Sequence, residues 1–188
     1  MNSKIKILRF LLDNKESKFT IRRLSQETKI NYRIVYEQVH KLEKEDLIKL
    51  EKTGKAILCE LTNFFNKDIY EAEYLRREDL FKNKELKLIR KRLSELDSLF
   101  VALLFGSYAK GKANKNSDID ILIIEGREDK IRSILSPWQE KIHLTFVSIE
   151  SFIRMAKSKE FNVVNETIKN NIILIGIEEY YKILNNAR

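Results

Sequence analysis

The sequence holds one cysteine, one proline and five glycines in 188 residues. A lone cysteine, Cys59, excludes an internal disulfide and fits a reducing, cytoplasmic interior. With Pro137 as the single proline and so little glycine, there is scant room for long irregular connections, and no internal repeat or low-complexity tract is present. No apolar run approaches the roughly 20 residues needed to cross a bilayer. Residues 1–6 lead directly into a charged amphipathic pattern, so neither a membrane span nor a signal peptide is expected. Histidine is confined to His40 and His143. His40 has no second metal ligand at i±4 and is expected on a solvated helix face.

What remains is ordinary in hydrophobicity and unusual in charge. Apolar residues make up 43%, enough for one large or two small cores. The net charge is +8, which favours an anionic partner such as nucleic acid. Residues 1–62 carry 14 Lys/Arg against 9 Asp/Glu, a net of +5, so the excess is concentrated in the first third.

That first third has a readable order. Ile5, Ile7, Leu8, Phe10, Leu11 and Leu12 predict a helix over 4–13. Thr20 reads as the N-cap of a helix to about Thr28, with Ile21 and Leu24 inward. Asn31 reads as the next N-cap, and Ile34, Val35, Val39 and Leu42 repeat at helical spacing to about Lys44. Residues 47–50 and 56–61 around a Thr53-Gly54-Lys55 turn predict a β-hairpin, with Cys59 packed in its second strand. This stretch resembles the winged helix-turn-helix domains of bacterial and archaeal regulators, through Thr20-Ile21-Arg22-Arg23-Leu24-Ser25, residues 35–42 and Leu47-Ile48 before the wing. Lys29 stands where such domains often have a turn glycine, which leaves the turn geometry open. The resemblance implies a third helix in the DNA major groove, with Asn31, Tyr32, Arg33 and Tyr36 reaching base edges. It also implies phosphate contacts from Arg22, Arg23 and wing Lys55. A protein–protein adaptor is the competing reading, because a fold does not dictate a function.

Residues 64–98 are charged and helical. Leu86, Ile89, Leu93 and Leu96 form one amphipathic stripe; Ile69, Tyr70, Tyr74 and Leu75 form an earlier one. They are expected to make a helical connector that packs between domains, with a homodimer interface as the second reading.

The chemistry-bearing stretch follows. Leu103-Leu104-Phe105 reads as a strand, Gly106-Ser107 as a turn, and Ile119 to Ile124 as a second, buried strand interrupted by Asp118 and Asp120. Strand side chains alternate, so the two carboxylates should share a face. Paired carboxylates in a buried strand require a cation, and Mg²⁺ suits their hard oxygens. Gly106 allows close backbone approach, while Ser107 and neighbouring amides can cradle a phosphate. Metal plus phosphate cradle points to nucleotide chemistry.

Gly106-Ser107, ten residues and Asp118-Ile119-Asp120 together resemble the signature of minimal nucleotidyltransferases, within the DNA polymerase β-like superfamily. The resemblance covers roughly residues 98–181. It implies an α+β fold with a small mixed sheet backed by helices, in the order β–turn–α–β–α–β. It implies Mg²⁺ or Mn²⁺ held by Asp118 and Asp120, ATP or another nucleoside triphosphate as substrate, and phosphate contacts from Gly106, Ser107 and Lys110. Such enzymes usually carry a third carboxylate on a later strand. Here that strand, residues 141–147, has none, and His143 takes the corresponding position. Three readings stand open: His143 as general base, Glu140 or Glu150 swinging in, or a site that binds nucleotide without efficient transfer. The implied organisation is a winged helix-turn-helix at 1–63, a connector at 64–98 and a nucleotidyltransferase-like domain at 99–188. Two functions follow. One is AMP transfer to a protein or small-molecule hydroxyl, antitoxin-like and self-regulating, with a HEPN-type toxin as candidate acceptor. The other is a DNA-binding regulator that senses nucleotide.

Overall fold

Short polar side chains set where the helices begin. Thr20, Asn31, Asn83, Ser148 and Asn162 each sit just before a helix and accept a backbone N–H from its first turn. In the computed structural model, residues 2–62, 64–158 and 160–187 are described. The chain divides into two compact units, Met1–Leu75 and Arg76–Arg188.

The first unit contains α1 (Ser3–Asp13), β1 (Phe19–Thr20), α2 (Ile21–Thr28), α3 (Tyr32–Lys44), β2 (Ile48–Thr53) and β3 (Ala56–Leu61). Its core joins Ile5, Leu8, Leu11 and Leu12 of α1 with Leu24 of α2 and Val35, Val39 and Leu42 of α3. Ile34 leaves the expected inward stripe and is 42% exposed, because burial of 35, 39 and 42 centres the apolar face one position away. The turn question at Lys29 also has an answer. Lys29 adopts the left-handed conformation at φ 53° and its N–H, with that of Ile30, closes the end of α2. A lysine thus performs the glycine role at some conformational cost.

β2 and β3 pair antiparallel from Ile48↔Leu61 to Thr53↔Ala56 around Gly54-Lys55, where Gly54 has φ +58°. β1 adds a third strand beside β3, with Phe19 opposite Cys59. Two residues carry no readable period, so the sequence offers no sign of β1. Cys59 is fully buried, and burial pushes its thiol up to about 12, which makes it inert.

The boundary between the units falls inside α4 (Lys67–Leu80). The expected connector at 64–98 is therefore not one body. α5 (Lys84–Ser94) belongs to the core of the second unit, where Leu86, Ile89 and Leu93 pack with Ala102, Ile121, Ile131 and Leu174. The reason is the apolar stripe itself: a helix with three fully buried side chains must be covered by another element, here the strands of the second unit.

The second unit continues with β4 (Val101–Phe105), α6 (Gly106–Ala109), β5 (Ile119–Ile124), α7 (Glu128–Leu135) and a 3₁₀ turn at Ser136–Trp138. β6 (Ile142–Val147), α8 (Ile149–Lys157), α9 (Val163–Lys169), β7 (Ile172–Ile175) and α10 (Ile177–Asn186) complete it. The sheet order is β6-β5-β4-β7. β4 is antiparallel to both neighbours, and β5 runs parallel to β6, so this α+β unit has a mixed sheet. Its central strands are almost continuously apolar because both faces are covered. The sheet edge is closed in a specific way. A bulge between the pairs Ala102↔Ile175 and Leu103↔Ile173 leaves Leu174 out of register, and Arg77 donates to the Leu174 carbonyl at 3.3 Å. Arg76 likewise donates to the Asn171 carbonyl at 3.0 Å.

If α5 is core, Ile89→Ala should lower unfolding free energy by about 2–4 kcal/mol, while exposed Leu88→Ala should change it by less than about 0.5 kcal/mol. Urea denaturation of the two variants measures this, and equal effects would contradict the assignment.

Candidate functional site

The turn after β4 is tight because of one residue. Gly106 has φ +68°, and a Cβ built there would lie 2.3 Å from Oδ2 of Asp120. Only glycine fits both the backbone conformation and the space. The carboxylate of Asp120 is thereby seated against the main chain of the Gly-Ser bend, as the register Phe105↔Asp120 requires. Asp118 lies just before β5 rather than within it, and its charge acts on Asp120. Strand alternation therefore governs Asp120 alone, and Asp118 acts on it from just outside the strand.

Across the sheet, the parallel register places His143 of β6 opposite Asp120. His143 Nδ1 and Asp120 Oδ1 are 3.6 Å apart, an electrostatic contact too long for a hydrogen bond. The His143 side chain is 66% exposed and that of Asp120 28%, so the imidazole stands at the mouth of the site and the carboxylate at its floor. Burial raises the Asp120 pKa; His143 opposes the rise and Asp118 adds to it.

Other expected members are placed differently. Lys110 already has a partner: its ammonium bonds Glu166 of α9 at 2.7 Å, and that bond holds the Glu166 carboxyl below the usual glutamate range. Glu166 lies 56 residues away in sequence, and nothing local could have announced the pairing. Ser107 sits in the first turn of α6, partly buried, and its carbonyl accepts from the Lys112 N–H at 3.0 Å. Glu150 follows the far end of β6, whereas His143 is at its near end, so Glu150 cannot serve beside Asp120. Glu140 is exposed ahead of β6. Among the described residues, no group of three or more His, Cys, Asp or Glu side chains could hold a metal ion.

A cleft of about 540 Å³ opens along the loop that joins α6 to β5, lined by Tyr108, Asn114, Lys115, Glu85 and Lys141 among others. Lys141 bonds Glu85 at 2.7 Å and is held protonated chiefly by that bond. Sequence reasoning missed this cleft, although the aromatic Tyr108 inside the turn was a visible signal.

In the first unit, Arg22, Arg23, Tyr32, Arg33, Tyr36 and Lys55 are all exposed. Arg23 pairs with Glu27 at 2.5 Å and Arg33 with Glu37 at 3.2 Å, each within one helix, so both cations are partly compensated. Tyr32, Tyr36 and His40 stack along the outer face of α3, with centroid separations of 6.4 and 4.6 Å. His40 is only half exposed there, and its Nε2 is buried without a partner. Asn31 caps α3, its Oδ1 accepting from the Arg33 N–H at 2.9 Å, which leaves its amide NH2 as the group that could reach a base.

The ionisation of Asp120 has a stability consequence. A folded-state pKa above the ordinary 3.8 means folding favours the protonated acid. The stability this confers is full below 3.8 and is lost as pH rises through the folded value. Ionised Asp120 therefore destabilises the metal-free fold at neutral pH. Asp120→Asn should melt above the parent in EDTA at neutral pH, with the gain shrinking as pH falls; a lower melting temperature at neutral pH would contradict this.

The family model described as the nucleotidyltransferase domain matches residues 86–184. No match is found among curated proteins, and none among solved structures. The matched segment starts at Leu86, earlier than the motif alone indicates, because α5 is part of the same core.

Proposed function

The chain belongs to the nucleotidyltransferase domain family, and from that premise we propose that it transfers a nucleotidyl group, AMP from ATP, to a hydroxyl of a protein or small molecule. The observation that carries this reading is the seat of Asp120 against Gly106, with Asp118 beside it. Two hard carboxylates that repel each other at the edge of a buried sheet suit Mg²⁺ or Mn²⁺, and Asp118 and Asp120 are the residues that would hold it. When bound, such an ion neutralises triphosphate charge and polarises the phosphoryl oxygens.

The chain's own groups supply the rest. The Ser107 hydroxyl and the amides beside it hold the outer phosphates, with Gly106 admitting them close to the backbone. The acceptor oxygen bonds to the α-phosphorus, the bond to the bridging oxygen breaks, and pyrophosphate leaves. His143 takes the acceptor proton on Nε2, since Nδ1 faces Asp120. Lys110, held by Glu166 through one of its three N–H donors, keeps two for a phosphate.

The first unit is read as a winged helix-turn-helix that binds DNA, with α3 in the major groove and Gly54-Lys55 as the wing. Its support is the exposed set Arg22, Tyr32, Arg33, Tyr36 and Lys55 and the local excess of positive charge. A cytoplasmic, self-regulating protein that modifies a HEPN-type toxin, reading two half-sites as a homodimer, fits both halves. Among the described residues no helix is long and apolar enough to cross a membrane. A second reading is favoured by one observation: β6 carries no acidic residue, so the second unit would sense nucleotide without turnover.

Labelled ATP with Mg²⁺ or Mn²⁺ and cell extract tests the enzyme. Label should appear on an acceptor, vanish in Asp118→Asn and Asp120→Asn, and fall by about 10²-fold in His143→Ala. No transfer by the parent, together with nucleotide-dependent DNA affinity, supports the sensor. For the first unit, a gel shift should weaken steeply with salt. The slope of log K against log salt should fall by about 0.9 for each of Arg22→Gln and Lys55→Gln; salt-independent binding would contradict the DNA reading.

A further inference from the structure

The outer face of α5 carries a groove that neither the proposed transfer reaction nor the proposed DNA face uses. It encloses about 570 Å³ and is lined by four cations, Lys84, Lys87, Arg90 and Lys91. Three of them, Lys84, Lys87 and Lys91, are exposed at helix positions i, i+3 and i+7. At 1.5 Å rise per residue they climb one face at intervals of about 4.5 and 6 Å. Among the described residues none of the four makes a salt bridge, although ion pairs are common elsewhere on this surface, as at Arg92–Glu95 and Lys82–Asp79. A single carboxylate, Glu78, shares the groove with them. Like charges packed on one face destabilise a helix. The fold keeps this uncompensated ladder where alternating charges would have served solubility.

The floor of the groove is apolar. Phe81 lies in the turn before α5, and Leu88 is 44% exposed between Lys84, Lys87 and Lys91. Lysine stems add further methylene surface around them. A basic rim over an aromatic and aliphatic floor is the surface on which a single strand lies: phosphates pair with the ammonium groups and base faces rest on apolar side chains. A duplex presents its phosphates but hides those base faces, so it would leave Phe81 and Leu88 unused.

The helix that carries the groove also contributes to the loop cleft described above. The first turn of α5 supplies Lys84 to one and Glu85 and Leu86 to the other, and the preceding turn supplies Phe81 and Leu80 in the same way. On the cleft side Lys115 adds a further cation, while Lys141 is already paired with Glu85.

We propose that the α5 groove of the second unit is a binding site for single-stranded nucleic acid, separate from the DNA-reading face of the first unit. The site rests on the groove alone and stands whether or not the carboxylate pair transfers nucleotides.

The test uses the full chain and a fluorescently labelled 20-nucleotide single-stranded RNA of mixed sequence, read by anisotropy across a salt series. The parent chain should bind with a negative slope of log K against log salt. Lys87→Gln/Lys91→Gln, both at exposed positions, should weaken binding about tenfold at moderate salt. It should also flatten the slope by about 1.4, the loss of two phosphate contacts at about 0.7 each for a single strand. Leu88→Ser should weaken binding without altering the slope. Failure of the parent to bind, or an unchanged affinity and slope in Lys87→Gln/Lys91→Gln, would overturn the site. Poly-glutamate competing as well as unlabelled RNA would overturn the nucleic-acid assignment in favour of an acidic protein segment.

Discussion

The second unit depends on one close approach: the Asp120 carboxylate against the main chain of Gly106. A side chain at 106 would occupy the space of the carboxylate oxygen, and the backbone there is left-handed. Gly106, Asp120 and, through β-sheet register, His143 form one geometric unit. Asp118 adds its charge from just outside the strand. The arrangement is electrostatically unfavourable when empty of cations, which is what a site built for function rather than stability looks like. Membership of the nucleotidyltransferase family and this local frustration point the same way.

The surrounding architecture serves that contact. β4 and β5 are central, apolar on both faces and covered by helices, so the bend at Gly106 and the residue at 120 have little freedom. The edges are handled separately: Arg77 closes the bulge in β7, and β6 presents His143 at its first turn of alternation. The loop between α6 and β5 carries the basic residues, and Lys110 is anchored through Glu166 to α9. Charge on this unit is thus of two kinds. Some is locked into ion pairs that shape the loop, and some, at Lys84, Lys87 and Lys91 of α5, has no ion-pair partner among the described residues.

The first unit has a different logic. Its helices are capped by Thr20 and Asn31 and its core is a conventional meeting of three apolar stripes. Its cations lie on exposed faces, but Arg23 and Arg33 already have carboxylate neighbours on their own helices. Tyr32 and Tyr36 are exposed and close to one another on the outer face of α3. Large aromatics left in water beside arginines suit a recognition surface.

Local pattern alone determined the helices with caps and stripes, the Gly54 hairpin and the two strands around Gly106. These are legible because they depend on periods of 2 and 3.6 and on residues with special backbone preferences. Tertiary structure decided what depends on distant partners. It drew α5 out of the expected connector and into the second core, added β1 beside β3, and bound Lys110 to Glu166. It excluded Glu150 from the site and occupied Asn31 as a cap. It also decided that the ladder on α5 forms the wall of a groove. Each of these is a meeting of side chains or strands far apart in the chain, and sequence spacing holds no information about which distant surface will bury a given face.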